Sequence, residues 1–170
     1  MYDNKLIAGG WFTSAGGVGA RGIAVWDGSS WSPLGSGFTG DNDEVFCLSP
    51  YGDKLIASGY LDQAGSVNVN NIAAWDGSAW TDLAPEMNNG ISPLIIFNNK
   101  LIAVENLTSP FDPSAYRIFS WNGSSWSPLG SGMNGRILDF AVFGNKLIAC
   151  GEFDMAGGDS VNYIAEWSYK

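Results

Sequence analysis

The stretch IAVWDGSSWSPLGSG, residues 23–37, returns as IAAWDGSAWTDLAPE from Ile72 and as IFSWNGSSWSPLGSG from Ile118, and IAEWSYK from Ile164 begins it a fourth time. A second landmark keeps step with it. The run KLIA places Lys5, Lys54, Lys100 and Lys146 at spacings of 49, 46 and 46, and each lysine precedes Trp26, Trp75, Trp121 or Trp167 by 21 residues. Self-similarity at such a period means one supersecondary unit used repeatedly, in which no unit can bury its apolar face alone. Length varies only between each tryptophan and the next lysine, where the first repeat carries three extra residues around GDNDE. Insertions of this kind map to loops. The repeats run approximately 1–44, 45–90, 91–135 and 136–170 and are expected to form a single domain, 1–170.

The second repeat shows best what one unit contains. VFCLSPY (45–51), KLIASGY (54–60), NNIAAWDG (70–77) and AWTDLA (79–84) are short runs rich in Ile, Leu, Val and aromatics, bounded by Gly, Asn, Asp, Ser or Pro. They read as four strands. WDGSSW, WDGSAW and WNGSSW carry Asp-Gly or Asn-Gly, the strongest short hairpin signal, so the third and fourth strands form a tight hairpin with Trp26 and Trp31 at its mouth. Each tryptophan can bury on the order of 150–250 Å², roughly 4–6 kcal/mol gross, once a neighbouring unit covers the ring. The tryptophans are therefore expected to join successive units.

Composition narrows the function. The 45 % hydrophobic content supports a real core, and 23 glycines fit a turn-rich all-β chain. With 17 acidic against 8 basic residues, the net charge of −9 repels phosphate backbones, so no nucleic-acid partner is expected. Histidine is absent, which removes histidine-based nucleophilic catalysis and histidine-bound metals. Cys47 and Cys150 lie in apolar runs and read as small buried hydrophobes. No apolar run reaches 18 residues, so no membrane insertion is expected, and MYDNKLIAGG lacks the charged start and apolar stretch of a signal peptide.

The run KLIAGG followed by IAVWDGSSWSPL resembles a kelch repeat: an apolar strand ending in Gly-Gly, an aromatic followed by Asp, and a tryptophan a few residues on. Gly9 and Gly10 match the double glycine fully, Gly59 and Gly151 in part, and Val104 with Glu105 not at all. Trp26-Asp27, Trp75-Asp76 and, loosely, Trp121-Asn122 match the aromatic-Asp pair; Trp31, Trp80 and Trp126 match the later tryptophan. The resemblance implies a β-propeller of about four kelch-like four-stranded blades, the terminal blades incomplete. The repeat length is also similar to that of sugar-binding propellers of the tachylectin type. Copper-dependent galactose oxidase shares the kelch fold, but without histidine its activity is not expected here.

Three sets of residues are candidates for function. Asp41, Asp43 and Glu44 form a hard-oxygen cluster of the kind calcium takes, set against a simple solvated acidic turn. The loops WFTSAGGVGARG, YLDQAGSVNVNN, NLTSPFDPSAYR and EFDMAGGDSVNY recur with fixed length and read first as a repeated structural loop. The functional alternative is a repeated sugar site in which Trp11 and Tyr60 stack on a ring face and Asp62 or Asp154 accepts hydroxyl hydrogen bonds. Carboxylates converging in a central cavity would instead make a glycosidase- or lyase-like enzyme.

The first repeat starts at its second strand and the fourth stops at its third, so fourteen strands are expected, and neither end supplies the strand the other lacks. Symmetric closure between two copies, a dimer ring of about eight blades, hides both edges; a small four-bladed ring and a piece of a larger propeller are the alternatives. The reading at this level is a non-enzymatic binding or scaffold module for a glycan or protein, placed outside the cell or on a bacterial surface by analogy with similar repeats.

Overall fold

The computed structural model describes residues 1–84, 87, 89–106 and 116–168, and these form strands and turns with no helix. In the first repeat, β1 (Leu6–Gly9) pairs with β4 (Ile23–Trp26) and β4 with β5 (Trp31–Pro33), while a small hairpin, β2 (Ser14–Ala15) and β3 (Val18–Gly19), fills the link between β1 and β4. The second repeat is the full antiparallel meander: β6 (Glu44–Tyr51), β7 (Lys54–Tyr60), the hairpin β8 (Gln63–Ala64) and β9 (Val67–Asn68), then β10 (Ile72–Trp75) and β11 (Trp80–Asp82). The third is β12 (Ile91–Phe97), β13 (Lys100–Asn106), β14 (Tyr116–Trp121) and β15 (Trp126–Pro128). The fourth is β16 (Ile137–Phe143), β17 (Lys146–Gly151), the hairpin β18 (Met155–Ala156) and β19 (Asp159–Ser160), and β20 (Ile164–Ser168).

The four sheets are antiparallel meanders of three, four, four and three strands, built at the positions the apolar runs mark. The small hairpins are additions that the sequence pattern does not signal. In the three sheets that contain a first strand, that strand carries a bulge at the same place, at Val45/Cys47, Ile91/Leu94 and Ile137/Asp139. An extra residue there bends the strand across its neighbour.

Met1–Gly90 and Ile91–Lys170 are two compact units, the boundary falling where the second repeat gives way to the third. Within each unit, two sheets share one core. In the first, Ile7 and Ile23 of the first sheet meet Leu55, Ala57, Ala73 and Trp75 of the second, with Phe38, Leu61 and Val69. In the second, Ile102, Val104 and Ile118 meet Leu147, Ala149 and Ala165, with Met133, Phe153 and Val161. Strand pairing explains the two faces: Leu55 stands opposite Trp75 and Ala57 opposite Ala73 on one side, Ile56 opposite Ala74 and Ser58 opposite Ile72 on the other.

The later tryptophan of each pair of repeats seals the joint. Trp75 is 8 % exposed, and a Cβ at Gly35 would stand 2.8 Å from its ring. Trp167 repeats this against Gly130 at 3.1 Å but is 37 % exposed, and among the described residues its three-stranded sheet sets no second indole beside it. Trp75 has one, with ring centroids 5.3 Å from Trp80.

The cysteine expectation is corrected. Cys150 is exposed and Cys47 only partly buried. The alanine of the KLIA run is Ala149, which turns into the core, so Cys150, next along the strand, points to the opposite face beside Ile164.

Candidate functional site

The hairpin between the second and third strands is one backbone device used three times. Ala20, Val69 and Val161 donate their amides to the carbonyls of Thr13, Asp62 and Asp154; Gly22, Asn71 and Tyr163 donate to Phe12, Leu61 and Phe153. Gly22, Asn71 and Tyr163 all lie in the left-handed region, at φ of 68°, 64° and 62°. The recurring loop thus has one backbone geometry in these three copies. The third copy, NLTSPFDPSAYR, falls largely outside the described residues.

The connection that follows a fourth strand, GSGFTG in the first repeat and GSGMNG in the third, is clamped from both sides. Phe38 donates its amide to the Arg21 carbonyl of its own repeat, and the amides of Gly65 and Thr39 bond to Gly37 and Gln63, linking it to the next repeat. In the second unit Met133 donates to Tyr116, Gly157 to Gly132 and Asn134 to Met155. The same three bonds make both joints.

Each joint leaves a crevice at the same place. In the first unit it measures about 200 Å³ and is walled by Gly35, Ser36, Gly65, Ser66, Trp75 and Trp80. In the second it measures about 260 Å³ and is walled by Gly130, Ser131, Gly157, Asp159, Glu166 and Trp167, among others. An indole wall with hydroxyls and backbone beside it is apolar on one side and hydrogen-bonding on the other. The two crevices differ in charge: among the described residues the first has no carboxylate in its walls, while the second has Asp159 and Glu166, the latter held by Lys146 at 2.7 Å. A carboxylate pair is therefore not a property of the repeated site.

The residues singled out from the sequence lie elsewhere. Trp11 stands 78 % exposed, and Tyr60 rests edge-on against Phe46 with ring centroids 5.1 Å apart. Asp62 and Asp154 are exposed at matching loop positions, where their carbonyls close the hairpins and Asp154 also accepts from Asn134 Nδ2 at 2.6 Å. None of these four walls either crevice. The calcium reading of Asp41, Asp43 and Glu44 is corrected as well. Among the described residues no three such side chains are placed to hold a metal ion. Asp43 is buried and takes the amides of Gly40 at 2.6 Å and Asp62 at 2.7 Å, Asp41 is exposed, and Glu44 opens β6 opposite Tyr60. The crevice residues were missed because GSG and AGG read as turn punctuation, and only the joint shows that they face an indole.

The Asp-Gly turns are hairpins, with a four-residue loop rather than a two-residue turn. Asp27 Oδ1 accepts the amides of Ser29 and Ser30 and the Ser29 hydroxyl, and Asp76 and Asn122 repeat this on Ser78 and Ala79 and on Ser124 and Ser125. Gly28, Gly77 and Gly123 take φ of 103°, 98° and 103°. The donated backbone bonds hold Asp27 well below the usual carboxylate range and pull Asp76 down to about 2.

Comparison with known proteins adds one match. A β-propeller family, described as a domain of unknown function (DUF5122), matches residues 3–24, which span β1, the β2–β3 hairpin and the start of β4. No curated protein matches the chain.

Proposed function

We propose that this chain is a non-enzymatic β-propeller module of about four kelch-like blades, and that its repeat joints hold a small polyhydroxylated ligand, a saccharide unit being the best fit. The observation that carries the reading is the crevice formed twice, once in each unit, by the same glycine-serine-glycine connection, hairpin tip and indole. An indole face suits the C–H side of a sugar ring, and the neighbouring seryl hydroxyls and backbone groups suit its hydroxyls. A neutral pocket in one joint and an acidic one in the other favour binding over a shared hydrolytic mechanism, which needs the same acids at each site.

A glycan array followed by calorimetric titration tests this. Binding of two saccharide units per chain is expected. Ser66→Trp fills the first crevice and Asp159→Trp the second, each reducing the stoichiometry to one and together to none. Both positions are exposed hairpin residues, so the fold is retained. Absence of any saccharide binding, or binding that both substitutions leave intact, rejects the reading.

A further inference from the structure

The two crevices share a frame and differ at the tip of the hairpin that flanks them. Gly35, Ser36 and Trp75 in the first unit answer to Gly130, Ser131 and Trp167 in the second. The flanking hairpins keep one register: Val67 stands opposite Ala64 in β8–β9, and Asp159 stands opposite Ala156 in β18–β19. Val67 and Asp159 therefore occupy the same position, and each walls the crevice of its own unit. A valine in one copy and a carboxylate in the other give equivalent sites opposite chemistry at that wall.

Glu166, the other carboxylate of the second crevice, does not share that role, because Lys146 Nζ lies 2.9 and 2.7 Å from its two oxygens and cancels its charge. Among the described residues, no ion pair or side-chain hydrogen bond holds the Asp159 carboxylate. It leaves the second crevice with one net negative charge in a wall that also carries the Trp167 indole. A carboxylate close to an aromatic face suits an ammonium group, which the charge attracts and the ring quadrupole holds. The net charge of −9 on the whole chain draws cations toward it from further out. The first crevice offers an ammonium group no such partner, its walls having no carboxylate among the described residues.

We infer that Asp159 sets the specificity of the second crevice, which takes a saccharide unit bearing a protonated amine, the ammonium on the Asp159 carboxylate and the sugar ring beside Trp167, while the first crevice takes uncharged units. This rests on the ligand reading above and goes beyond it by giving the two joints of one frame different ligands.

The test is calorimetric titration with two matched pairs, glucosamine against glucose and galactosamine against galactose, in chains with one crevice filled. With Ser66→Trp, which leaves the second crevice open, at least one amino sugar is expected to bind about tenfold tighter than its parent, and added salt is expected to shrink that ratio. With Asp159→Trp, which leaves the first crevice open, each pair is expected to bind with equal affinity. Asp159→Asn placed in the Ser66→Trp chain is expected to abolish the preference, and Val67→Asp placed in the Asp159→Trp chain is expected to create it in the first crevice. Val67 packs against the edge of the first core, so far-ultraviolet circular dichroism accompanies that variant, and the Asp159→Asn result decides by itself where Val67→Asp fails to fold. Parent sugars bound as tightly as amino sugars in the second crevice, or a preference that Asp159→Asn leaves intact, overturns this inference and leaves the ligand reading standing. If no amino sugar binds the second crevice the inference also falls, and if nothing on the glycan array binds the chain the ligand reading falls with it.

Discussion

In the first unit the amide of Asp62 is held by Asp43, which lies in the three-residue insertion, whereas in the second the amides of Asp154 and Met155 are held by Asn134, a member of the connection itself. Thr39, which occupies Asn134's place, instead sets its hydroxyl 2.8 Å from both Gln63 Oε1 and the Gly65 carbonyl oxygen, which share its single proton. The backbone bonds beneath are the same in both units. The joint is therefore carried by main-chain geometry and by glycines, while the side chains that trim it are exchangeable. The acidic insertion is the first unit's way of supplying a missing acceptor.

The largest test of this comparison removes a glycine. A Cβ at Gly59 would stand 1.9 Å from the Glu44 carbonyl oxygen and one at Gly151 2.0 Å from that of Arg136, both against the bulged first strand. At Gly10 the nearest atom is Phe12 Cδ1 at 3.5 Å. Gly59→Ala and Gly151→Ala are expected to cost about 3 kcal/mol each and to lower Tm by roughly 10 °C, whereas Gly10→Ala stays close to wild type. Equal effects at all three, measured by thermal unfolding, would break the assignment of the bulge as the cause.

A smaller effect separates the two acceptors. Asp43→Ala strands two amides in a buried site and is expected to cost about 2 kcal/mol, while Asn134→Ala, in the exposed counterpart, is expected to cost about 0.5 kcal/mol. Urea unfolding of the two variants reads the difference. Calcium added in excess is expected to leave the wild-type midpoint unchanged.

The smallest effect is one of pH. Asp76, at about 2 when folded against an ordinary 3.8, stabilises its turn fully above pH 4 and loses that contribution as pH falls through 2. Asn122 in the third repeat accepts the same bonds with no proton to gain. Amide shifts of Ser78 and Ala79 should therefore titrate with a midpoint near 2 while those of Ser124 and Ser125 stay flat, and Asp76→Asn should abolish the titration.

Much of the fold was legible because strand positions follow from local chemistry. Lys54–Tyr60 was bounded to the residue, and the hairpin at Trp75 and Trp80 was marked by Asp-Gly. What escaped depends on partners distant in sequence. The bulge at Val45/Cys47 is a property of the pairing between β6 and β7, and no single residue there announces it. Asp43 looks like a metal ligand until the amide of Asp62, 19 residues on, is brought beside it. The crevices were illegible for the same reason: Gly35 and Trp75 belong to different repeats, and only their juxtaposition makes a wall.

The clamped connection also bears on how such a chain finds its structure. Its ties reach 26 residues from Thr39 to Gly65 and 20 from Asn134 to Asp154, which are short spans for an all-β protein. Closure entropy grows only with the logarithm of span, so each tie forms at little more cost than an ordinary hairpin loop. Each two-sheet unit therefore assembles through near-neighbour contacts of low sequence separation, the kind that speeds folding. Each unit therefore holds within its own span the contacts that order it.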